Sequence, residues 1–332
     1  MARPIKSSAP TRIDLAGGTL DIWPLHLFFG NPPTLNAAID LYATVEIIPR
    51  KDKRIILSSR DLGLSDKFSS LNALPENHPL ELIVRTLKFY SPECGLEIIT
   101  NCQAPQGSGI GGSSALNIAL HGALNHLTDR HFNKAEMIEI AKNIETQVIQ
   151  VPAGCQDYYP AMYGGVRKVL PGVRRTETQK FTMSPAELTQ HFVLCYTGKP
   201  RNSGINNWEV TKKAVDGNRA VIRHLKSIRD CAVDMEQALS RGKLASLAPI
   251  FDREWKARKQ LAPNISTPQM DQLMRAARRQ GALAGKVCGA GGGGCVAFIV
   301  PPTKKQSIID ELTSKGGQVL PFHFVSRGLQ VS

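Results

Sequence analysis

One stretch limits what this chain can become: Pro105-Gln106-Gly107-Ser108-Gly109-Ile110-Gly111-Gly112-Ser113-Ser114-Ala115. Four glycines within six positions let the backbone turn tightly and come close to a ligand. Ser113 and Ser114 then open a helical run from Ala115 to Leu127, with apolar residues at Leu116, Leu120, Ala123, Leu124 and Leu127. A glycine loop that leads into a helix gathers unpaired N–H groups and the positive end of the helix dipole, which suits phosphate. Taken by itself, the loop also reads as a glycine-rich structural turn.

Two phosphate-binding designs fail here. A Walker A loop needs lysine where Ser113 stands, although Gly107 and Gly112 have its spacing. Gly107, Gly109 and Gly112 spell a dinucleotide fingerprint, but the predicted strand Leu96–Thr100 ends several residues too early and no clear second strand follows the helix before Asp129. The loop instead resembles the ATP loop of the GHMP small-molecule kinases (galactokinase, homoserine kinase, mevalonate kinase and phosphomevalonate kinase), with Ile110 in the leucine place and one extra glycine. That resemblance implies ATP contacts from Pro105, Gly107, Ser108, Gly109, Ile110, Gly111, Gly112, Ser113 and Ser114.

A chain of 332 residues can bury a large core and divide into two domains, here expected at 1–180 and 181–332 with the passage near 176–188. Met1 to Pro10 carries no apolar run of the secretory type, and the run Leu20–Phe29 is broken by Asp21, Pro24 and His26. Seven cysteines without a CxxC pair suit reduced thiols, so the expectation is a cytoplasmic protein without membrane partners. The net charge of +13 collects at 50–54, at 253–259 and at Arg275, Arg278 and Arg279. Attraction of nucleotide or sugar phosphate is one reading of it, and solvated helix and turn faces another. No nucleic-acid-binding motif accompanies the charge, so no nucleic-acid partner is expected.

Ser8 to Asp21 reads as a short strand running into a glycine turn. It resembles the first motif of the same kinases, in which the basic residue, here Arg12, lowers the barrier at the acceptor; Thr11 stands where many members carry glycine. Gly17-Gly18-Thr19-Leu20-Asp21 is similar to the turn of the heptose-phosphate kinases in this superfamily. By that resemblance Gly18, Thr19 and Asp21 border the sugar, and the Asp21 carboxylate takes charge-assisted bonds from its hydroxyls.

Lys134 to Gln150 reads as a helix with Met137, Ile140, Ile144 and Val148 as its apolar stripe, and Glu145 beside the stripe is by pattern a surface glutamate. The following Gly154-Cys155-Gln156-Asp157 changes its weight. The family resemblance pairs a magnesium-binding glutamate with an aspartate some ten residues on, and Glu145 precedes Asp157 by twelve. It implies Mg2+ on Ser114 and Glu145, Asp157 as the base taking the proton of the attacking hydroxyl, and Gln156 and Tyr163 as sugar contacts.

Elsewhere the patterns predict a hairpin of 36–49 with 54–58, a helix over 79–90, and a strand over 95–100. Past the boundary they predict a strand over 191–197, helices over 207–240, 244–261 and 267–279, a helix over 303–314 and a last strand over 318–325. The loop Gly198–Gly204 reads as a phosphate-side loop or a polar turn. Lys286-Val287-Cys288-Gly289-Ala290-Gly291-Gly292-Gly293-Gly294 matches the third motif of the kinases, which packs over the ATP loop, with Gly291 and Gly292 toward ATP and Gly292 toward the acceptor. Cys288 and Cys295 read as small core residues.

The expected fold is therefore α+β: a two-domain GHMP kinase with an N-terminal domain like domain 2 of ribosomal protein S5 and a ferredoxin-like C-terminal domain. The expected activity is ATP-dependent transfer of a γ-phosphoryl group to the hydroxyl of a sugar or sugar phosphate, heptose 7-phosphate first. A galactose-, fucose- or uronic-acid-type sugar, mevalonate, and a non-catalytic binding role stand as alternatives, and a homodimer is compatible with all of them.

Overall fold

The computed structural model describes residues 3–200 and 203–332. The chain runs β1 (Ile5–Ala16), α1 (Leu25–Phe28), β2 (Thr34–Arg50), β3 (Ile55–Ser59), β4 (Leu64–Phe68), α2 (Glu81–Tyr90), β5 (Gly95–Cys102), α3 (Gly112–Thr128) and α4 (Lys134–Ile149). It continues through α5 (Tyr158–Tyr163), β6 (Val166–Leu170), β7 (Glu177–Lys180), α6 (Pro185–Gln190), β8 (Phe192–Tyr196), α7 (Ser203–Val215) and α8 (Arg219–Ser240). Then follow α9 (Leu247–Arg258), α10 (Pro268–Arg279), β9 (Ala284–Val287), β10 (Cys295–Ile299), α11 (Lys305–Ser314), β11 (Gln318–Leu320) and β12 (Gln330–Val331).

The first sheet has the order β12-β1-β2-β5-β3-β4, with β6 and β7 added along the second edge of β2. At 17 residues β2 is long enough to pair with β5 through 43–50 and with β6 through 34–37 on the same side. Helices α2 to α5 cover one face, where Ile118, Leu120 and Leu124 of α3 meet Val45, Ile47 and Ile98. The second sheet is antiparallel in the order β11-β8-β10-β9, which is the strand order of a ferredoxin-like sheet. A shared core seats Ile13, Leu35 and Ile39 of the first sheet against Phe192, Leu194 and Ala297 of the second.

Three expectations are corrected. Residues 36–49 and 54–58 do not form a hairpin, because β5 lies between them, antiparallel to β2 and parallel to β3. The basic turn is folded instead around Asp52, which accepts bonds from Arg50 and Arg54. Gly95 enters this turn with its N–H on the Asp52 carbonyl at 2.9 Å, where a Cβ would meet that oxygen at 2.4 Å. The single helix expected over 207–240 is two, divided at Gly217 (φ +77°) and restarted by Asn218, whose side chain caps Ala220 and Val221. The last strand ends at Leu320, and the chain then crosses back so that Phe324 bridges Ile39 and β12 pairs with β1. No disulfide forms, and Cys288 and Cys295 are buried as expected. No helix among the described residues is long and apolar enough to cross a membrane.

Candidate active site

The glycine-rich stretch that starts at Pro105 connects β5 to α3. Gly107, Gly109 and Gly111 all take positive φ, and Gly111 is the cap from which α3 starts. Such a backbone aims the first N–H groups of a 17-residue helix at the space before it, which suits an anion. Two other segments clamp the loop. The Arg12 N–H donates to the Ile110 carbonyl at 2.9 Å, and the Cys295 N–H donates to Ser108 at 2.7 Å. Gly294 lies so close to Ser108 that a Cβ would sit 2.6 Å from its carbonyl oxygen. The third glycine-rich motif is thus laid directly on the first loop. A groove of about 330 Å³ runs alongside, lined by Pro105, Gly107, Ser108, Gly109, and 111–114, with Glu145 and Asp157 at its end. Ile110 takes no part in this lining: its side chain is fully buried in the shared core and anchors the loop.

At the end of the groove Arg12 and Asp157 meet. Nε and Nη2 of Arg12 lie 2.8 and 2.6 Å from Oδ1 of Asp157, so both nitrogens converge on one carboxylate oxygen. Nη1 donates to the carbonyls of Gly109 and Cys288 at 2.8 and 2.9 Å. Burial opposes the Arg12 charge, but the neighbouring carboxylates Asp157 and Asp14 outweigh it and hold the guanidinium charged. Strand β1 places it, since its ladder shifts register between Pro10 and Thr11. Asp157 sits at the start of α5, and its Oδ2 accepts no bond from a described residue.

Glu145, on α4, faces the same point. Ser113 Oγ donates to its Oε1 at 2.7 Å, Ser114 Oγ lies 3.4 Å from Oε2, and the Tyr158 hydroxyl closes on Oε2 as well. Burial pushes the Glu145 carboxyl up from its ordinary range. Among the described residues no cluster of three or more His, Cys, Asp and Glu could hold a metal by itself. The donor set nevertheless fits magnesium, which takes one or two hard oxygens from a protein and the rest from phosphate and water.

On the far side of Asp157 is a smaller cleft of about 110 Å³, into which Thr19, Asp21, Gln156, Arg258 and Ala290 reach. Asp21 is buried, and its Oδ2 accepts the Gln156 N–H at 2.9 Å. Burial raises its carboxyl to about 6, with Asp157 and Asp14 adding to the shift. Asp21 Oδ1 and Gln156 Oε1 are buried without a hydrogen bond from a described residue, which is costly unless a donor arrives.

The Gly17–Thr19 turn beneath Asp21 is strained and held from the second domain. Thr19 sits at φ +81°, and a Cβ on Gly18 would meet Asp14 Oδ2 at 2.4 Å. Arg258 donates to the Gly18 carbonyl at 2.8 Å and to Thr19 Oγ1 at 3.1 Å. Behind it Arg258, Lys286, Glu254 and Asp14 form a buried cluster: Glu254 Oε1 lies 2.6 Å from Arg258 and 3.0 Å from Lys286, and Asp14 Oδ2 lies 3.3 Å from Lys286.

The structure thus gathers Arg12, Gly18, Thr19, Asp21, Ser113, Ser114, Glu145, Gln156 and Asp157 around one junction. Tyr163 is not brought there: its ring stacks on Tyr159 under Lys134 and Arg167. Gly291 and Gly292 turn toward Ile265, whose carbonyl accepts the Gly292 N–H at 2.9 Å, and it is Gly289 and Ala290 that line the smaller cleft. In the Gly198–Gly204 loop, Arg201 and Asn202 lie outside the described residues. Sequence reasoning missed Arg258, read as part of a solvated basic run; its i,i+4 spacing from Glu254 was the available signal.

Two family models match the chain: GHMP kinases N terminal domain over residues 78–165 and GHMP kinases C terminal over 235–318. A D-glycero-alpha-D-manno-heptose 7-phosphate kinase from Campylobacter jejuni is 29% identical over 98% of both chains. The crystal structure of a D-glycero-D-manno-heptose 1-phosphate kinase from Bacteroides thetaiotaomicron superposes with a TM-score of 0.80 at 26% identity, covering 99% of this chain and 98% of that one. Lactococcus lactis galactokinase complexed with galactose shares the fold at a TM-score of 0.81 and 17% identity, covering 99% of this chain and 95% of that one.

Proposed function

The chain belongs to the GHMP kinases, and from that premise we propose that it transfers the γ-phosphoryl group of ATP to a hydroxyl of a sugar phosphate, heptose phosphates first. The observation that carries this reading is the Arg12–Asp157 pair standing between a glycine-loop groove and a cleft walled by an underbonded carboxylate. ATP lies along the groove with its phosphates at the start of α3. Magnesium held by Ser114 and Glu145 would neutralise charge on the β- and γ-phosphates. The acceptor hydroxyl sits against Asp157 Oδ2 while Oδ1 stays bound to Arg12. The hydroxyl oxygen then bonds to the γ-phosphorus, the bond from phosphorus to the β–γ bridging oxygen breaks to leave ADP, and the proton passes to Asp157. Arg12 holds Asp157 in place through Oδ1 and faces the charge that develops. Asp21 and Gln156 accept the sugar's other hydroxyls, which fixes the reacting one in line. The domain division lies near residue 180, and the pair stands at the seam.

The test is ADP release with magnesium across heptose 7-phosphate, heptose 1-phosphate, hexoses, uronic acids and mevalonate, with the product's phosphorylated position fixed by phosphorus NMR. A strong response confined to a phosphorylated heptose bears the reading out. A response to mevalonate alone overturns the sugar assignment, and ATP binding with no turnover on any acceptor overturns the kinase.

A further inference from the structure

The acceptor cleft is too small for its proposed occupant. Its volume of about 110 Å³ is well under the roughly 300–1,000 Å³ of sites that enclose a small molecule. It opens across Asp21 and Val151–Ala153 into a second cavity of about 850 Å³, and those residues line both. Only the end of the acceptor carrying the reactive hydroxyl fits the inner cleft, so the remainder lies in the outer cavity.

The outer cavity has a distinct chemistry. Its far rim is the turn after Pro171, where Gly172 lets the chain fold so tightly that a Cβ would meet the Arg175 carbonyl at 2.7 Å. The turn presents Arg174 and Arg175 side by side. Arg174 has no carboxylate within ion-pair distance among the described residues, while Arg175 meets Glu177 only in an exposed contact at 3.2 Å, a kind worth little in water. Between rim and cleft stands Trp23, 66% exposed, which offers a flat face for a sugar ring. Asp21 at the boundary repels an anion from the inner cleft. Glu139 and Lys142 also line the outer cavity but pair with each other at 2.5 Å, so Arg174 and Arg175 leave its outer end positive: hydroxyl inward, anion outward.

We propose that this outer cavity is the subsite for the acceptor's own phosphate monoester, held by Arg174 and Arg175 with Trp23 beneath the sugar. The inference rests on the sugar-phosphate kinase reading and assigns the residues that would select a phosphorylated acceptor. Guanidinium groups take phosphate through paired charge-assisted bonds, so the preference should be large and should depend on arginine rather than on charge alone.

The experiment compares the full chain with Arg174→Gln/Arg175→Gln, whose side chains are exposed. In the ADP-release assay the kcat/KM preference for a phosphorylated acceptor over its unphosphorylated counterpart should fall about 10–100-fold, chiefly through KM. Calorimetric titration with D-mannose 6-phosphate and D-mannose in the presence of ADP gives a second readout that needs no turnover. The unaltered chain should bind the phosphate ester at least about tenfold more tightly, and the variant should not. Equal affinity for the two sugars in the unaltered chain, or an undiminished preference in the variant, overturns the subsite. Failure to release ADP from any acceptor, with the calorimetric preference intact, would sink the kinase reading and leave the subsite standing.

Discussion

At the residue scale, the two oxygens of Asp157 stand differently: Arg12 occupies Oδ1, and the proposed reaction assigns Oδ2 to the acceptor. Asp157→Asn should therefore retain ATP binding, measured by titration, while kcat falls by about 10²–10⁴-fold; near-normal turnover would remove the aspartate from the chemistry. Asp21 gives a prediction in pH. Its carboxyl is raised to about 6 by burial, with the Asp157 and Asp14 carboxylates adding to the shift, a bond from the Gln156 N–H opposing it, and Arg258 and Cys155 also close. Below that value the carboxyl is protonated and accepts hydroxyl bonds poorly. The acceptor KM should accordingly rise as pH falls through 6, whereas the KM for ATP should not follow it. The sign for stability is the reverse of a salt-bridged aspartate: the cost of burying the charge vanishes below the unfolded value of 3.8 and is imposed as pH rises toward 6. Asp21→Asn should flatten the acceptor KM profile; a profile left intact would assign the limb to another group. Arg12, Asp21, Glu145 and Asp157 were singled out in the sequence by motif order and spacing, and the fold does bring them to one junction. Tyr163 was misread toward the site because an aromatic near an active-site motif packs on another aromatic just as readily.

At the element scale, the decisive features are where backbones touch. Gly111 caps α3 at φ +77°, with Asp157 at ordinary contact distance from where a Cβ would lie. Gly111→Ala must strain the backbone where the proposed reading places the phosphates, so the KM for ATP should rise while the fold survives, with a loss of about 1–2 kcal/mol in denaturant unfolding. An unchanged KM would mean that the loop is indifferent to its cap. Helix α9 carries the opposite lesson. Arg258 looked like one basic residue in a basic run, and its i,i+4 spacing from Glu254 signals an ion pair but not that the helix turns that pair inward to the Gly17–Thr19 turn. The same limit explains β2 and β3: their alternation was readable, but the insertion of β5 between them is decided by a residue 45 positions further on than Arg50, at Gly95. Local periodicity predicts elements, and only packing decides their neighbours. Because Arg258 is buried with Glu254, Asp14 and Lys286, Arg258→Met leaves carboxylates uncompensated. It should cost about 3–5 kcal/mol and raise the acceptor KM more than the KM for ATP. Loss of stability without that kinetic asymmetry would make the cluster structural only.

At the scale of the whole molecule, the last dozen residues hold the first sheet to the second. After β11 the chain leaves the second sheet and exchanges backbone bonds with the first: Val325 donates to Ala38 at 2.9 Å, Gly165 donates to Val325 at 2.9 Å, and Leu329 donates to Met162 at 3.2 Å. Two glycines mark the closeness of this passage, since a Cβ on Gly164 would meet Arg327 at 2.2 Å and one on Gly328 would meet Met162 at 2.4 Å. Met162 and Gly164 belong to or directly follow α5, the helix that starts at Asp157. The tail therefore braces the helix that carries the proposed base, and it also buries Phe322 and Phe324 in the core common to both sheets. Removing 321–332 deletes those two aromatic rings and the β1–β12 pairing. At about 1.5–3 kcal/mol for each buried aromatic side chain, the loss should be at least about 3–6 kcal/mol. The melting temperature should fall by on the order of 10 °C. Turnover measured well below the new melting point is the sharper readout. A braced α5 predicts that kcat drops several-fold in the shortened chain while ATP affinity, set by the loop before α3, is kept. A shortened chain that melts early but turns over at the full rate would show that the tail stabilises the molecule without positioning Asp157.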